Sequence, residues 1–391
     1  MIRQDMGGKT EMKKKNRFAK FLMLSFFLFG CQGKDPSYPS SGSLDDAINA
    51  IESAMQNKDP EISDVSDIDD LREGSSLETV ATPDDFPSQY DYGNGRMSSY
   101  SRDRMLKKLP LPKGNETVLN TLPDTEEIQA LYLWEEGRMP SKTVFREDMT
   151  GYFDSYDFRP YITCIPVRKG AKMKGAVVLL AGGAYQFRGN YTDSLPTAAA
   201  LREGGFQTFI VDYRLRPYTQ EEGALDVARA VRFIRKNAGL YQIDPDDIAV
   251  MGFSAGGIQS GEFFMHYDEN VLPSSMDPDY VDDSLDRVLA HASACGMIYS
   301  FYGRLSVGNM DPQWLRTGNL PPTFYVYGTR DPFYSQFERQ YQVIKDIEIE
   351  TGRIVLNNWP HGFGGDGGWV KDYAEWLEGI FRNGNPERKT I

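Results

Sequence analysis

A serine lies between two glycines in residues 252–256, which read Gly-Phe-Ser-Ala-Gly. The apolar residues 248–253 predict a strand that leads into it, and the residues that follow are compatible with a helix. At so sharp a turn a side chain would clash at the two flanking positions, which is why they are glycines. The serine between them would lie on a strained backbone with its hydroxyl exposed. This spacing predicts a nucleophilic serine, with the N–H of Ala255 beside it as a donor to an oxyanion.

A serine hydroxyl needs a neighbouring base to become a nucleophile, and this base is usually a histidine oriented by a carboxylate. The chain has three histidines. His266 falls near the end of the helix after the serine, and its ordinary interpretation is a helix-end histidine. His291 lies at the entry to a strand, where it would be structural or exposed. His361 lies in a Pro/Gly-rich loop just after the last predicted strand, where active-site loops gather. We therefore predict His361 as the base.

Asp331 is the predicted partner of this histidine, because it follows a strand and stands between the serine and the histidine in chain order. An aspartate before proline also commonly makes a turn that caps the next helix, and the two roles can coexist. Asp311 lies in a loop before a strand rather than after one, so it ranks second.

Paired glycines in residues 180–185, Leu-Ala-Gly-Gly-Ala-Tyr, can turn further backbone N–H groups toward a substrate. We predict that Gly183 or Ala184 donates to the oxyanion together with Ala255. A glycine turn without chemical use is the alternative.

Four aromatic residues flank this predicted site, namely Tyr185, Phe187, Phe253 and Phe363. They are candidates for stacking on a sugar or lining an acyl pocket, with ordinary core packing as the alternative for each. The chain has no cluster of cysteine and histidine at metal-ligand spacing, so neither a metal nor a cofactor is predicted.

Strands and helices alternate from about residue 115, which predicts an α/β domain over residues 115–385. Its sheet would be mostly parallel and doubly wound, with helices on both faces. Strands are predicted over residues 161–167, 176–180, 208–213, 248–253, 288–299, 323–327 and 353–356. Helices are predicted over residues 195–204, 224–238, 255–266, 334–350 and 370–381, and a surface insertion over residues 268–285.

Residues 130–385 resemble the α/β-hydrolase family, and more narrowly its acetyl-xylan-esterase-like branch of carbohydrate esterases. The motifs that carry the resemblance are Gly-Gly-Ala-Tyr at 182–185, Val-Asp-Tyr-Arg-Leu at 211–215, Ile-Asp-Pro at 243–245, the serine turn, Gly-Thr-Arg-Asp-Pro at 328–332 and Pro-His-Gly-Phe at 360–363. Ala181 departs from the proline or histidine that relatives often have, and Ala184 replaces a third glycine. A methyl group at Ala184 is expected to crowd the acyl pocket.

The resemblance implies a serine esterase that removes small acyl groups, acetyl foremost, from esters of plant polysaccharide or oligosaccharide. A serine peptidase or general carboxylesterase is the enzymatic alternative, because the fold and the triad do not select the leaving group. A surface carbohydrate-binding protein with a hydrolase shell is the alternative from another class. The intact set of serine, aspartate and histidine favours an enzyme.

Residues 1–31 predict a lipoprotein-type signal peptide, with a basic start, ten mostly apolar residues and then Cys31. Lipid on Cys31 would place the protein outside the cytoplasm, anchored to a bacterial membrane or cell surface. An ordinary secretory signal is the alternative. The apolar run is too short to span a membrane, which takes about 20 residues.

Charge is distributed unevenly along the chain, whose formal net charge is −13. Residues 32–90 carry a net −11 and are rich in Ser, Asp and Pro, which predicts a loosely ordered tether, with a short amphipathic helix near residues 44–57. No basic stripe is present, which disfavours nucleic acid as a partner.

Cys164 and Cys295 could be bridged or be buried free thiols, and the oligomeric state stays open.

Overall fold

Nine strands form a mostly parallel sheet in the computed structural model of this chain, which describes residues 78–80, 109–146, 153–168 and 170–384. In chain order the strands are β1 (Glu78–Val80), β2 (Gln129–Tyr132), β3 (Tyr161–Ile165), β4 (Gly175–Leu180), β5 (Phe206–Asp212), β6 (Ile248–Phe253), β7 (Ala294–Ile298), β8 (Gly303–Arg304), β9 (Val307–Gly308), β10 (Thr323–Gly328) and β11 (Thr351–Leu356). The order across the sheet is β1-β11-β10-β7-β6-β4-β5-β3-β2, and β8 pairs separately with β9. Strand β3 is antiparallel to both of its neighbours, and the other pairs in the sheet are parallel.

Every residue of β4, β5, β6, β7 and β10 is buried. Strands covered on both faces bury both sets of side chains, which is why these segments read as continuous apolar runs rather than as alternating ones. The predicted fold class, an α/β-hydrolase sheet with helices on both faces, is confirmed.

The helices are α1 (Ser194–Glu203), α2 (Gln220–Lys236), α3 (Ala238–Tyr241), α4 (Ala255–His266), α5 (Pro312–Leu315), α6 (Tyr334–Asp346) and α7 (Trp369–Gly384), with a 3-10 turn at Pro273–Ser275. The chain moves outward from β4 to β5 and then back past β4 to β6. Right-handed crossovers therefore put α1 and α2 on opposite faces. Helix α7 packs beside α1, and α4 packs beside α2.

Helix α2 begins at Gln220, four residues earlier than predicted. The Thr219 side chain accepts from the N–H of Glu222, and the Glu222 carboxylate accepts from the N–H of Thr219, which is a capping box. Helix α2 ends at Lys236, two residues before the predicted end at residue 238, and α3 begins at Ala238.

Strand β7 is shorter than predicted and begins at Ala294 rather than at residue 288, because residues before it bond to other segments. The N–H of Ala290, for example, donates to the carbonyl of Glu269 in the predicted insertion at 2.9 Å. The end of the insertion is bound to α2, since Arg229 forms ion pairs at 2.7 Å with Asp283 and with Asp286, which follows the insertion.

Cys164 and Cys295 are both buried free thiols, which settles the alternative that the sequence left open. Strand β1 falls within the predicted tether and pairs in parallel with β11. The signal peptide, the lipidation of Cys31, the rest of the tether and the helix near 44–57 lie outside the described residues and stay predictions. Among the described helices, none is both long and apolar enough to cross a membrane.

Candidate active site

Ser254 connects the end of β6 to the start of α4 with backbone angles φ 50° and ψ −120°. A residue with a side chain rarely adopts a positive φ, so this conformation persists only where its surroundings enforce it. A Cβ on Gly252 would lie 2.1 Å from the Gly256 carbonyl oxygen, and one on Gly256 would lie 2.0 Å from that of Leu180. Both flanking glycines are therefore required by close backbone contacts.

Neighbouring strand β7 holds the serine backbone in this conformation. The Ser254 N–H donates to the carbonyl of Ile298 at 2.9 Å, and the Ser300 hydroxyl donates to the Ser254 carbonyl at 2.7 Å. Because both backbone polar groups are bonded, the turn is fixed while the Ser254 side chain stays available.

His361 bridges the serine and an aspartate. Its Nε2 lies 2.8 Å from Ser254 Oγ, and its Nδ1 lies 2.7 Å from Asp331 Oδ2. A carboxylate only accepts, so Nδ1 carries the hydrogen and Nε2 is left to accept from the serine hydroxyl. The Asp331 side chain is fully buried, whereas that of His361 is 19% exposed. The arrangement can therefore take a proton from Ser254 at a place that solvent reaches.

The loops after β10 and β11 bring the aspartate and the histidine together. The Arg330 N–H donates to the Trp359 carbonyl at 2.9 Å, and a Cβ on Gly328 would lie 2.0 Å from that same oxygen. The second oxygen of Asp331, Oδ1, accepts from the N–H of Phe333 at 2.9 Å. The aspartate thus makes the turn before α6 and orients the histidine at the same time.

The other candidates for base and acid have different contacts. His266 faces the ring of Trp314, and burial lowers its pKa. His291 lies 3.4 Å from Asp268, and the Asp311 carboxylate accepts from the N–H of Gln313 to cap α5. In the described part of the chain, neither histidine is hydrogen-bonded to Ser254.

The predicted oxyanion donors lie next to the serine. A Cβ on Gly182 would approach Ser254 Cβ to 3.0 Å, so this glycine turn packs against the nucleophile. Gly183 has φ 136° and Ala184 has φ 55°, a conformation in which alanine is strained. Within the described residues, the N–H groups of Gly183, Ala184 and Ala255 donate no hydrogen bond and can receive a developing negative charge.

Two of the four aromatic residues predicted beside the site, Phe253 and Phe363, have the core packing that the sequence left open as the alternative. Phe253 is fully buried against Tyr299 and Trp369, and Phe363 is 2% exposed and also packs on Tyr299. Both rings belong to the core beneath the site, so core packing accounts for their positions, and a contact with substrate stays a prediction. Tyr185 is 7% exposed and packs on Tyr213.

Phe187 is the exposed aromatic residue beside the glycine turn. Its side chain is 46% exposed, and its Cδ2 lies 2.9 Å from where a Cβ on Gly183 would be. Phe187 is among the aromatic residues expected beside the site, whereas sequence reasoning missed Asp193 and Tyr299, because no motif marks them. Within the described ranges, no group of three or more potential ligands could hold a metal ion.

A cleft of about 520 Å³ opens along the far half of α4. It is lined by Lys142, Glu221, Glu262, His266, Tyr267, Val271, Ser275, Met276 and Arg304. The Glu262 carboxylate is buried in its wall, 3.2 Å from Arg304 and 3.1 Å from the Gln220 amide. Burial raises the pKa of Glu262 to about 7, with Arg304 opposing the increase.

We expect the Glu262→Gln variant to lose a pH dependence of stability that the wild type shows. An acid whose pKa is raised on folding holds its proton more tightly in the folded state. The free energy of unfolding therefore falls as the pH rises from 4.5, the ordinary pKa of glutamate, toward 7. At about 1.4 kcal/mol per pKa unit, the free energy of unfolding should fall by roughly 3 kcal/mol more in wild type than in the variant. Urea unfolding between pH 4 and pH 8 measures the difference.

Glu221→Gln is the control from the same cleft. Burial raises the pKa of Glu221, but its backbone hydrogen bond and the nearby cations outweigh burial and lower it. Removing this carboxylate should therefore change the slope of the free energy of unfolding against pH in the direction opposite to Glu262→Gln. A wild type whose stability rises with pH relative to Glu262→Gln would contradict the prediction.

Parts of this chain are similar in sequence to a protein family and to two known proteins. A family model named BD-FAE matches residues 164–274, which include the glycine turn and Ser254 but end before Asp331 and His361. An acetylxylan esterase of Xylanibacter ruminicola is 26% identical over 224 residues, or 52% of this chain and 45% of that protein. Endo-1,4-beta-xylanase B of Butyrivibrio fibrisolvens is 29% identical over 147 residues, or 37% of this chain and 22% of that protein.

The chain thus spans less than half the length of these curated relatives. The sequence matches confirm the resemblance to acetylxylan-esterase-like α/β hydrolases. Among solved structures, an acetyl ester-xyloside bifunctional hydrolase from Caldicellulosiruptor lactoaceticus is similar, with a TM-score of 0.49 and 21% identity. That similarity covers 68% of this chain and 98% of the other.

Proposed function

We propose that this chain is a serine carboxylic ester hydrolase in which Ser254 is the nucleophile, His361 the base and Asp331 the group that orients the base. The observation that carries the proposal is the continuous line of hydrogen bonds from Asp331 through His361 to Ser254, at 2.7 and 2.8 Å. The glycine turn beside Ser254 supports it, because it leaves N–H groups without partners where an oxyanion would form.

The first half of the reaction acylates the serine. Ser254 Oγ attacks the ester carbonyl while His361 Nε2 takes its proton, and Asp331 stabilises the imidazolium that results. The N–H groups of Ala255 and of Gly183 or Ala184 receive the negative charge on the carbonyl oxygen. His361 then gives the proton to the leaving alcohol as the tetrahedral intermediate collapses.

Hydrolysis of the acyl-enzyme repeats these steps with water. His361 takes a proton from the attacking water, the same N–H groups hold the second oxyanion, and the proton returns to Ser254 as the acid leaves. The fixed serine backbone and the buried aspartate need no rearrangement between the two halves, which is what electrostatic preorganisation requires.

For the substrate, we propose small acyl esters, acetyl foremost, of plant polysaccharide or its oligosaccharides. The names of the similar proteins support this choice, since one is an acetylxylan esterase and the other a xylanase. We expect the methyl of Ala184, which replaces a third glycine of relatives in the oxyanion turn, to favour a short acyl chain. Exposed Phe187, at the same turn, offers a ring on which a sugar can stack.

We expect acyl chain length to decide the rate. The ratio kcat/KM for 4-nitrophenyl acetate should exceed that for the octanoate ester by at least about tenfold, because even a few methylene groups that a pocket cannot hold cost this much. Acetate release from acetylated xylan, followed by chromatography, tests the polymer. A preference for octanoate would refute the acetyl assignment, and no hydrolysis of any ester would refute the esterase.

A further inference from the structure

Asp193 lies in the connection between β4 and α1 and is 6% exposed. Its Oδ2 accepts from the N–H of Gly182 at 2.9 Å, and its Oδ1 accepts from the Tyr299 hydroxyl at 2.9 Å. The exposed Thr192 hydroxyl adds a longer contact to Oδ1, at 3.2 Å. Each oxygen of this carboxylate therefore holds a different part of the site.

Tyr299 carries the connection on to the histidine loop. It follows β7 directly and is 2% exposed. Its hydroxyl accepts from the N–H of Gly364 at 3.2 Å while donating to Asp193. The ring packs edge to face on His361, with 4.8 Å between the ring centroids. The tyrosine thus supports both the base and the loop that carries the base.

The histidine loop also approaches the Asp193 segment directly. A Cβ on Gly364 would lie 2.0 Å from the Thr192 carbonyl oxygen, so the two backbones are in contact. Through Gly182, Asp193, Tyr299 and Gly364, one hydrogen-bonded series joins the oxyanion turn to the loop of His361.

Burial of a carboxylate is costly, and it raises the pKa of Asp193, although the donors from Gly182, Tyr299 and Thr192 oppose the increase. An asparagine at this position would have a single side-chain oxygen, so it could accept from Gly182 or from Tyr299 but not from both through separate oxygens. A carboxylate is the group that fits two separate donors here.

We propose that Asp193 and Tyr299 are positioning residues that hold the oxyanion turn and the histidine loop in register with Ser254. The inference rests on the proposed function, since it assigns these residues to the same reaction. Their effect would come from geometry, where a displacement of about 1 Å can reduce the rate by about a hundredfold.

Two variants test the proposal, Asp193→Asn and Tyr299→Phe. We expect kcat on 4-nitrophenyl acetate to fall by about a hundredfold in the first and about tenfold in the second, with KM changed by less than about threefold. Tyr299→Phe keeps the ring against His361 and removes only the hydroxyl. It carries the test alone if Asp193→Asn does not fold.

A second readout separates positioning from stability. A trifluoromethyl ketone adds to a serine nucleophile and forms a tetrahedral oxyanion, so its inhibition constant should rise in each variant by about the same factor as kcat falls. The matched control is Tyr280→Phe in the insertion. It removes a tyrosine hydroxyl that donates to the buried Asp286 carboxylate at 2.9 Å. The control should keep wild-type kcat and inhibition.

Wild-type kcat in folded Tyr299→Phe would overturn the proposal, and so would a fall in kcat without a matching loss of inhibitor affinity. Both results differ from a failure of the proposed function, in which the wild type itself would hydrolyse none of the esters.

Discussion

Replacing Ser254 by alanine is expected to reduce kcat on 4-nitrophenyl acetate by about 10⁶-fold, the size of effect that removal of such a nucleophile has in other serine hydrolases. In the wild type, hydrogen bonds connect Asp331 through His361 to the Ser254 hydroxyl. The variant lacks that hydroxyl, so His361 has no nucleophile to deprotonate. Residual hydrolysis would come from the oxyanion donors and from binding alone. The measurement is a steady-state rate at high enzyme concentration, with folding checked by circular dichroism.

Ser260→Ala is the matched control. Ser260 is buried in the same helix, α4, and its hydroxyl donates to the carbonyl of Gly256 at 3.1 Å. Its loss removes a buried serine hydroxyl about 1.7 helical turns from Ser254 without removing the nucleophile. Rates equal in Ser254→Ala and wild type would exclude Ser254 from the chemistry, whatever the rate in Ser260→Ala.

Replacing His361 by alanine should lower kcat almost as far, again by about 10⁶-fold, because the members of such a set act as a unit rather than additively. Nε2 of this histidine is 2.8 Å from Ser254 Oγ and supplies both the base for attack and the acid for departure of the alcohol. The loss should appear in kcat much more than in KM, since proton transfer occurs only on the way to the transition state.

The two other histidines serve as controls for the base. His266→Ala and His291→Ala each remove an imidazole with its own partner, Trp314 or Asp268, and both variants should keep kcat within about threefold of wild type. A large loss in His266→Ala with activity retained in His361→Ala would show that the base had been assigned to the wrong residue.

The serine turn could be predicted from sequence because its requirements are local. A strand, two glycines around a serine and a helix follow each other without a gap, and the structure has β6 and α4 at the predicted bounds. Asp331 and His361 could be proposed because each follows a strand, and parallel strands end at one edge of the sheet. The early start of α2 is also encoded locally, because Thr219 and Glu222 have capping-box spacing.

The other parts of the site depend on contacts between distant segments. Phe253 and Phe363 flank Ser254 and His361 in sequence, yet their rings point into the core, and spacing along the chain does not show which way a ring at the end of a strand points. The hydrogen bond from Tyr299 to Asp193 joins residues 106 positions apart. Strand β1, likewise, exists through its pairing with β11.

The glycines on either side of Ser254 have a consequence for how such a sequence can change over time. The atoms that exclude a side chain at Gly252 and Gly256 are backbone carbonyl oxygens, which no neighbouring substitution can trim away. A mutation at either position would disturb the junction of β6 and α4 together with the reactive hydroxyl. Selection for a chain that folds therefore also preserves the backbone turn that carries Ser254, even when the substrate changes. New specificities would have to arise in the loops around this turn.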